Sequence, residues 1–396
     1  MTATTTTSEL VYDPYDHDTI VNPYALFKRL RDEAPLYYSD QQDFYAVSRF
    51  DDIERTLLNR ETFISTKGVT LDMLKSGMEI PPGTLIFDGE PTHGIHRALL
   101  SRMFTPRRIG SLESDIRQLC EGLMDPLVGA GGFDFVADIG SEVPMRVISM
   151  LLGIPASDQE SIRDQLRSRR LDSNAGYEPD SLSGAIFAEY IDWRVEHPSD
   201  DIMTQLLNAE FDDETGAKKR LTRDELLAYV NIIASAGNET TKTLIGYTGK
   251  LLSEFPDQRR LLVEDPSLAT SAIEELLRYE PNTLQNCRYV AKDIELYGQV
   301  VPAGSIMVTL TPAGNRDERH FDDPDRFDVR RAIDHHLSFG FGSHYCLGQA
   351  LARLEGRVVL EEVLKRFPEW DTDLDNATFM HHTDMRGYES LPVVVP

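Results

Sequence analysis

Residues 339–348 read Phe-Gly-Phe-Gly-Ser-His-Tyr-Cys-Leu-Gly, and the rest of the chain is best read outward from them. Three glycines (Gly340, Gly342, Gly348) and two phenylalanines crowd Cys346. Glycine reaches positive φ without penalty and lets a backbone approach a flat partner closely. Backbone N–H groups in such a loop can donate to the sulfur and tune its electron density. The next residues, LGQALARLEGRVVLEEVL, form an amphipathic helix pattern. That pattern predicts a helix over 348–366 and puts the cysteine near its N-terminus, where the dipole favours a thiolate. The plain alternative is a structural cysteine buried in a glycine-rich turn.

A loop that offers a stabilised thiolate to a planar apolar group is what axial ligation of haem iron requires. The other cysteines do not compete for the role. Cys120 shares a helical face with Ile116, Leu119 and Leu123 and reads as core, and three cysteines without a CxxC make neither a disulfide framework nor a zinc site. The stretch FGFGSHYCLG resembles the haem-binding signature of the cytochrome P450 superfamily, through Phe339, Gly342, Cys346 and Gly348. The resemblance implies a mainly α fold with a minor β region in one compact domain, over about 13–396, behind a disordered tail at 1–12. It also implies haem b (iron protoporphyrin IX) with Cys346 as its proximal ligand.

Four further stretches carry the resemblance. Glu275 and Arg278 lie three apart in one helical pattern and can pair; the family implies a buried triad completed by Arg326 of Pro324-Asp325-Arg326-Phe327. AGNETT at 236–241 sits inside a long helical pattern, where Gly237 costs about 1 kcal/mol against alanine. Thr240 can bond back to the carbonyl of Ala236. Glu239 and Thr240 resemble the family's acid–alcohol pair, which implies proton delivery to dioxygen. His93 and Arg97, four apart, resemble contacts to the haem propionates, as do Arg288 and His344. VPAGSIMVTLTPAGNRD and the terminal RGYESLPVVV match the family's β region and closing strand. The resemblance runs from about Asp13 to Val395. It departs from the family at Gly314, where Ala is usual, and Glu239 stands for the commoner Asp.

Further helices are expected over 23–33, 51–58, 93–103, 113–128, 143–152, 182–196, 223–255 and 267–279. A hairpin is expected from PLYYS and FYAVS about DQQD, with a second β region over 288–290, 293–296 and 306–311. Residues 171–183 and 208–224 read as loops. The composition is globular, with 41% hydrophobic and 27% charged residues. A net charge of −26 argues against nucleic acid and an anionic membrane surface. MTATTTTSEL has no cationic or apolar region of a signal peptide, and no run is long enough to span a bilayer. A soluble, cytoplasmic monomer is expected.

The activity implied is monooxygenation: dioxygen, two electrons and two protons place a hydroxyl group on a small or medium apolar molecule. No flavin or iron–sulfur module follows the terminal strand, so a ferredoxin and its reductase are the expected electron source. Arg102, Arg107, Arg108, Arg330 and Arg331 are candidates for a basic landing patch. Substrate contacts are expected from 69–87, 173–186, 233–237, 282–286 and near Tyr388, in particular from Phe87, Ile233, Ala236, Gly237 and Leu284. Competing readings are a peroxide-driven peroxygenase, a non-enzymatic haem protein, and a cysteine hydrolase using Cys346 and His344; the last lacks an oriented third group.

Overall fold

The computed structural model describes residues 10–80, 84–155, 157–162, 165, 185–380 and 382–396. The elements that position the site begin with helix α1 (Tyr24–Glu33), strands β1 (Leu36–Ser39) and β2 (Phe44–Val47), helix α2 (Phe50–Leu58) and strand β3 (Phe63–Ile64). Next come α3 (Thr92–Ser101), α4 (Glu113–Met124), α5 (Val143–Leu152) and the 32-residue α6 (Arg223–Glu254). Helix α7 (Ala269–Tyr279), strands β4 (Asn286–Val290) and β5 (Ile306–Thr309), helix α8 (Gln349–Arg366) and strand β6 (Tyr388–Ser390) complete the frame.

Each long helix has a local cause. Thr222 caps α6 by accepting from the Glu225 N–H while the Glu225 carboxylate returns to the Thr222 N–H, a capping box. Helix α4 stops short of the expected 128 because Pro126 follows, and Asp125–Leu127 tightens into a 3₁₀ turn. Helix α8 stacks on α4 and α6, and α5 lies against α6. These four helices bury the largest apolar cluster, which includes Cys120, Ile148, Tyr229, Ile245 and Val359.

The largest sheet among the described residues is five-stranded, in the order β1–β2–β5–β4–β3, beside one three-stranded and three two-stranded sheets. The expected hairpin pairs β1 with β2, Tyr38 opposite Tyr45. Strand β5 runs parallel to β2 and antiparallel to β4, with Val308 opposite both Ala46 and Cys287. Residues 293–296 do not join this sheet. They fold back on Gln299–Val301 through Tyr297 (φ 52°) and Gly298 (φ 71°), a hairpin turn with both central residues left-handed. The stretch 208–224 also differs from expectation: Glu210–Asp212 pairs with Lys218–Arg220 across an Asp213–Gly216 turn. Its strands are polar and exposed, so no alternation of burial marked them.

The described residues reach into the stretch expected as a tail at 1–12. Tyr12, assigned to a disordered tail, is fully enclosed, with its ring edge-on to Phe27 and Phe44 and its hydroxyl donating to Gln285 Oε1 at 2.8 Å. An aromatic with a satisfied hydroxyl buries enough apolar area to fix a terminal segment. Among the described residues, no helix is long and apolar enough to cross a membrane.

Candidate active site

The cysteine loop is built by two turns of positive φ, Gly340 (70°) and Gly342 (72°), and by the Cys346 N–H donating to Phe339 O at 2.9 Å. At Gly342 a Cβ would lie 3.2 Å from the Leu57 carbonyl, so both φ and space call for glycine there. Gly348 forms the N-cap of α8. Burial pushes the Cys346 thiol up, while the Gly348 N–H and the charges of Arg97 and Arg353 pull it back down. Those three influences would favour a thiolate once a cation faces the sulfur. Arg353 stacks over the Phe339 ring at 4.5 Å and pairs with Glu274 at 2.6 Å.

The loop is braced from beneath by Glu275 and Arg278. Both are 0% exposed and joined by two hydrogen bonds of 2.7 and 2.9 Å. Arg278 also donates to the Asn315 and Pro324 carbonyls, and Asn315 accepts from the Leu337 N–H and donates to Ser338 Oγ. The buried pair is thereby wired to the start of the cysteine loop. The third member is not Arg326, whose side chain is 63% exposed and faces Asp328. Arg331 takes the place, its Nε 3.2 Å from Glu275 Oε1, while Arg326 contributes only its carbonyl to Arg278 and Arg331. The turn at 323–326, closed by the Arg326 N–H donating to the Asp323 carbonyl, leaves the Arg326 side chain outward, and the turn at 328–331 returns Arg331 inward. Arg331 is consequently unavailable as a landing-patch residue. Arg108 is turned to Gln205, and Arg102, Arg107 and Arg330 are exposed.

On the other side of the loop, the four groups expected at the propionates come together. His93 and His344 rings are 4.1 Å apart, and His344 Nε2 lies 3.3 Å from Ser65 Oγ. Burial, with His93, Arg288 and Arg97 nearby, pushes His344 down to about 3. Arg97 hydrogen-bonds the Tyr345 carbonyl, and Arg288, itself buried, bonds the Cys287 carbonyl at 2.8 Å. Neither guanidinium has a carboxylate partner among the described residues, and both ring nitrogens of His93 are buried without a hydrogen-bond partner. A buried charge without a counter-charge is costly. The set therefore fits a flat group bearing two carboxylates at one edge and a metal centre above Cys346.

On α6, Thr240 Oγ1 donates to the Ala236 carbonyl at 2.7 Å, as the spacing predicts. Ala236 is exposed although it lies in the middle of α6, so this stretch of helix borders a cleft. Glu239 follows it and pairs with Lys242. The substrate-contact expectations divide. Phe87 and Ile233 are both buried, Ile233 on α6 itself. Gly237 does not offer its side to the cleft: a Cβ there would meet Ile148 Cδ1 at 2.8 Å, so it is a packing glycine between α6 and α5. Leu284 is 0% exposed and packs in a second cluster with Tyr12, Phe27 and Val308, which removes it from the cleft. Residues 173–184 lie outside the described residues. Sequence reasoning gave Arg331 another place, in the landing patch, and missed Arg353 and Lys242; Lys242 carried a signal, its three-residue spacing from Glu239 on one helix.

Comparison with known proteins identifies the family. The cytochrome P450 family model matches residues 262–383. The chain is 36% identical to the putative cytochrome P450 123 of Mycobacterium tuberculosis, over 98% of this chain and 97% of that one. It is 33% identical to the steroid C26-monooxygenase of the same organism, over 93% of each. Its fold superposes on cytochrome P450 CYP109Q5 from Chondromyces apiculatus with a TM-score of 0.86, 32% identity, and coverage of 97% and 98%. The chain belongs to the cytochrome P450 family. Its activity is that of a P450 monooxygenase, and the family implies a haem-thiolate cofactor, dioxygen and a redox partner.

Proposed function

We propose that the protein binds haem b through Cys346 and hydroxylates a medium-sized apolar molecule with electrons from a ferredoxin and its reductase. The observation that carries this reading is the group of Arg97, Arg288, His93 and His344 beside the cysteine loop, in which neither guanidinium has a carboxylate partner among the described residues and His93 has only Glu90, 3.6 Å away. In this reading these four residues hold the two propionates, and Phe339 and Gly348 shape the ligand loop. The haem, when bound, supplies activation of dioxygen and transfer of one oxygen atom. The chain's own residues do the rest. Thr240 Oγ1, anchored on the Ala236 carbonyl, presents its lone pairs to the cleft, and Glu239 brings protons to it from the side of Lys242. Phe87 and Ile233 exclude water and orient the substrate. The steroid named for one relative supports an apolar substrate of similar bulk.

The absorption spectrum of the reduced, carbon-monoxide-bound protein tests the ligand. A strongly red-shifted Soret band, lost in Cys346→Ala, is the expected result. A Soret band at the position of histidine-ligated haem would overturn the assignment of Cys346. The remainder is tested by turnover of a steroid panel with ferredoxin and reductase supplied, where hydroxylated product is expected. Product formed with peroxide alone and not with ferredoxin would overturn the electron route.

A further inference from the structure

Asp88, the residue after Phe87, meets side chains of both α3 and α6. Its Oδ2 lies 3.2 Å from His96 Nδ1, and the Tyr229 hydroxyl contacts the same nitrogen. The three side chains come from three separate places: the turn at 84–88, helix α3 and helix α6. Tyr229 is 0% exposed, the His96 side chain 5% and the Asp88 side chain 10%, so the carboxylate is the member nearest to water.

Local spacing aims this cluster at the site. His93, His96 and Arg97 lie three and four apart on α3 and share one of its faces, so His96 neighbours the group expected at the propionates. Tyr229, Ile233 and Ala236 lie four and three apart and share the face of α6 that borders the cleft at Ala236. The turn that carries Asp88 is closed by the Phe87 N–H donating to the Thr84 carbonyl at 2.8 Å, and Leu85 anchors it in the largest apolar cluster. The polar hairpin at 210–220 covers the imidazole. Its Phe211 ring meets His96 edge-on at 5.5 Å, and its Glu214 Oε1 accepts from Thr92 Oγ1 at the start of α3 at 2.7 Å.

A carboxylate accepts and does not donate, so a proton on Nδ1 serves Asp88 and has the phenol oxygen as its second partner. A buried polar group that loses its partner and stays buried is costly. The two halves of the cluster differ in this respect. For Tyr229 to part from His96, two helices would have to separate and an enclosed phenol would be stranded. For Asp88 to part, the carboxylate would pass into water and His96 would keep Tyr229. The contact between helices is therefore the fixed half, and the turn is the releasable half. We propose that Asp88 and His96 form a latch that seats the turn at 84–88 against α3 and α6 and so sets the position of Phe87, with Tyr229 holding the imidazole in place. Both are positioning residues, acting on the substrate through Phe87. The inference rests on the reading that Phe87 faces the substrate.

The test uses haem-loaded protein carrying Asp88→Ala, Asp88→Asn, His96→Leu, Phe87→Ala, or Asp88→Ala together with Phe87→Ala. The first readout needs neither turnover nor ligand: amide hydrogen exchange in peptides from 84–88, α3 and α6. Asp88→Ala is expected to speed exchange at 84–88 by about tenfold, as for loss of one hydrogen bond to a charged group, and to leave α3 and α6 at wild-type rates. The second readout is affinity for 4-phenylimidazole, followed by the Soret shift, with imidazole as the small control. Asp88→Ala is expected to weaken 4-phenylimidazole severalfold and leave imidazole unchanged. Asp88→Asn, whose amide oxygen still accepts from Nδ1, is expected to restore both readouts. His96→Leu should act as Asp88→Ala does, and Asp88→Ala should add no loss of affinity where Phe87 is already alanine. Wild-type exchange in Asp88→Ala would overturn the latch. Faster exchange with unchanged 4-phenylimidazole affinity, where Phe87→Ala binds it more weakly, would overturn the positioning role. Wild-type affinity in Phe87→Ala itself would overturn the reading beneath the proposal, while exchange still decides the latch. If His96→Leu fails to fold, Asp88→Ala and Asp88→Asn decide on the same terms.

Discussion

Glu355 offers a stability measurement whose size follows from its surroundings. It sits on α8, almost fully enclosed, and neither carboxyl oxygen meets a partner at full hydrogen-bond geometry. Burial pushes the carboxyl from 4.5 up to about 8, and the nearby Thr241 hydroxyl offsets only part of this. In the unfolded chain the group ionises near 4.5, so between 4.5 and 8 the folded state binds one more proton. Stability from this residue is therefore complete below 4.5 and is lost as pH rises through 8. At about 1.4 kcal/mol per pH unit the loss reaches roughly 4 to 5 kcal/mol across the window. Glutamine has the same shape and does not titrate. The difference in stability between Glu355→Gln and wild type should thus move in favour of the variant by roughly 3 kcal/mol from pH 5.5 to pH 8. Urea unfolding of both proteins, followed by tryptophan fluorescence at intervals of pH, measures it. A difference that stays flat would show that the carboxyl is ionised and solvated in the folded state, and would refute the reasoning.

Four other substitutions probe the site's frame. Glu275→Gln breaks a fully enclosed ion pair and should cost about 3 to 5 kcal/mol, whereas Arg326→Ala should fall within about 0.5 kcal/mol of wild type; equal losses in denaturant unfolding would restore Arg326 to the triad. Arg288→Met removes a buried charge without a carboxylate partner, so it should leave haem-free protein no less stable while speeding haem loss to an apo-globin acceptor. A variant that keeps haem as tightly as wild type would exclude Arg288 from the propionate group. Gly237→Ala places a methyl group against Ile148 and should cost on the order of 1 to 3 kcal/mol, recovered in part by Ile148→Val; thermal melting of the double variant reads the recovery.

How much was legible follows the range of the forces involved. The cysteine loop, the α6 cap and the Thr240–Ala236 bond are local: glycine φ, helix spacing and neighbouring groups determine them, so residues close in sequence announced them. Glu275 and Arg278 were legible for the same reason, three apart on one helix. The third arginine was not, because its partner lies more than fifty residues away and two candidates five positions apart face opposite ways; backbone direction alone sends Arg326 to solvent and Arg331 to Glu275. Leu284 and Gly237 read equally well as cleft or core, since an apolar or small residue suits both, and only the packing of Tyr12 and Ile148 against them assigned each to the core. The sequence by itself determined the mainly α fold, the thiolate loop and the helix that carries Glu239 and Thr240. Tertiary structure alone decided which charges are left unmatched beside that loop and which, like Lys242 and Glu389, are matched between α6 and β6, because the cost of a buried charge depends on every element packed around it.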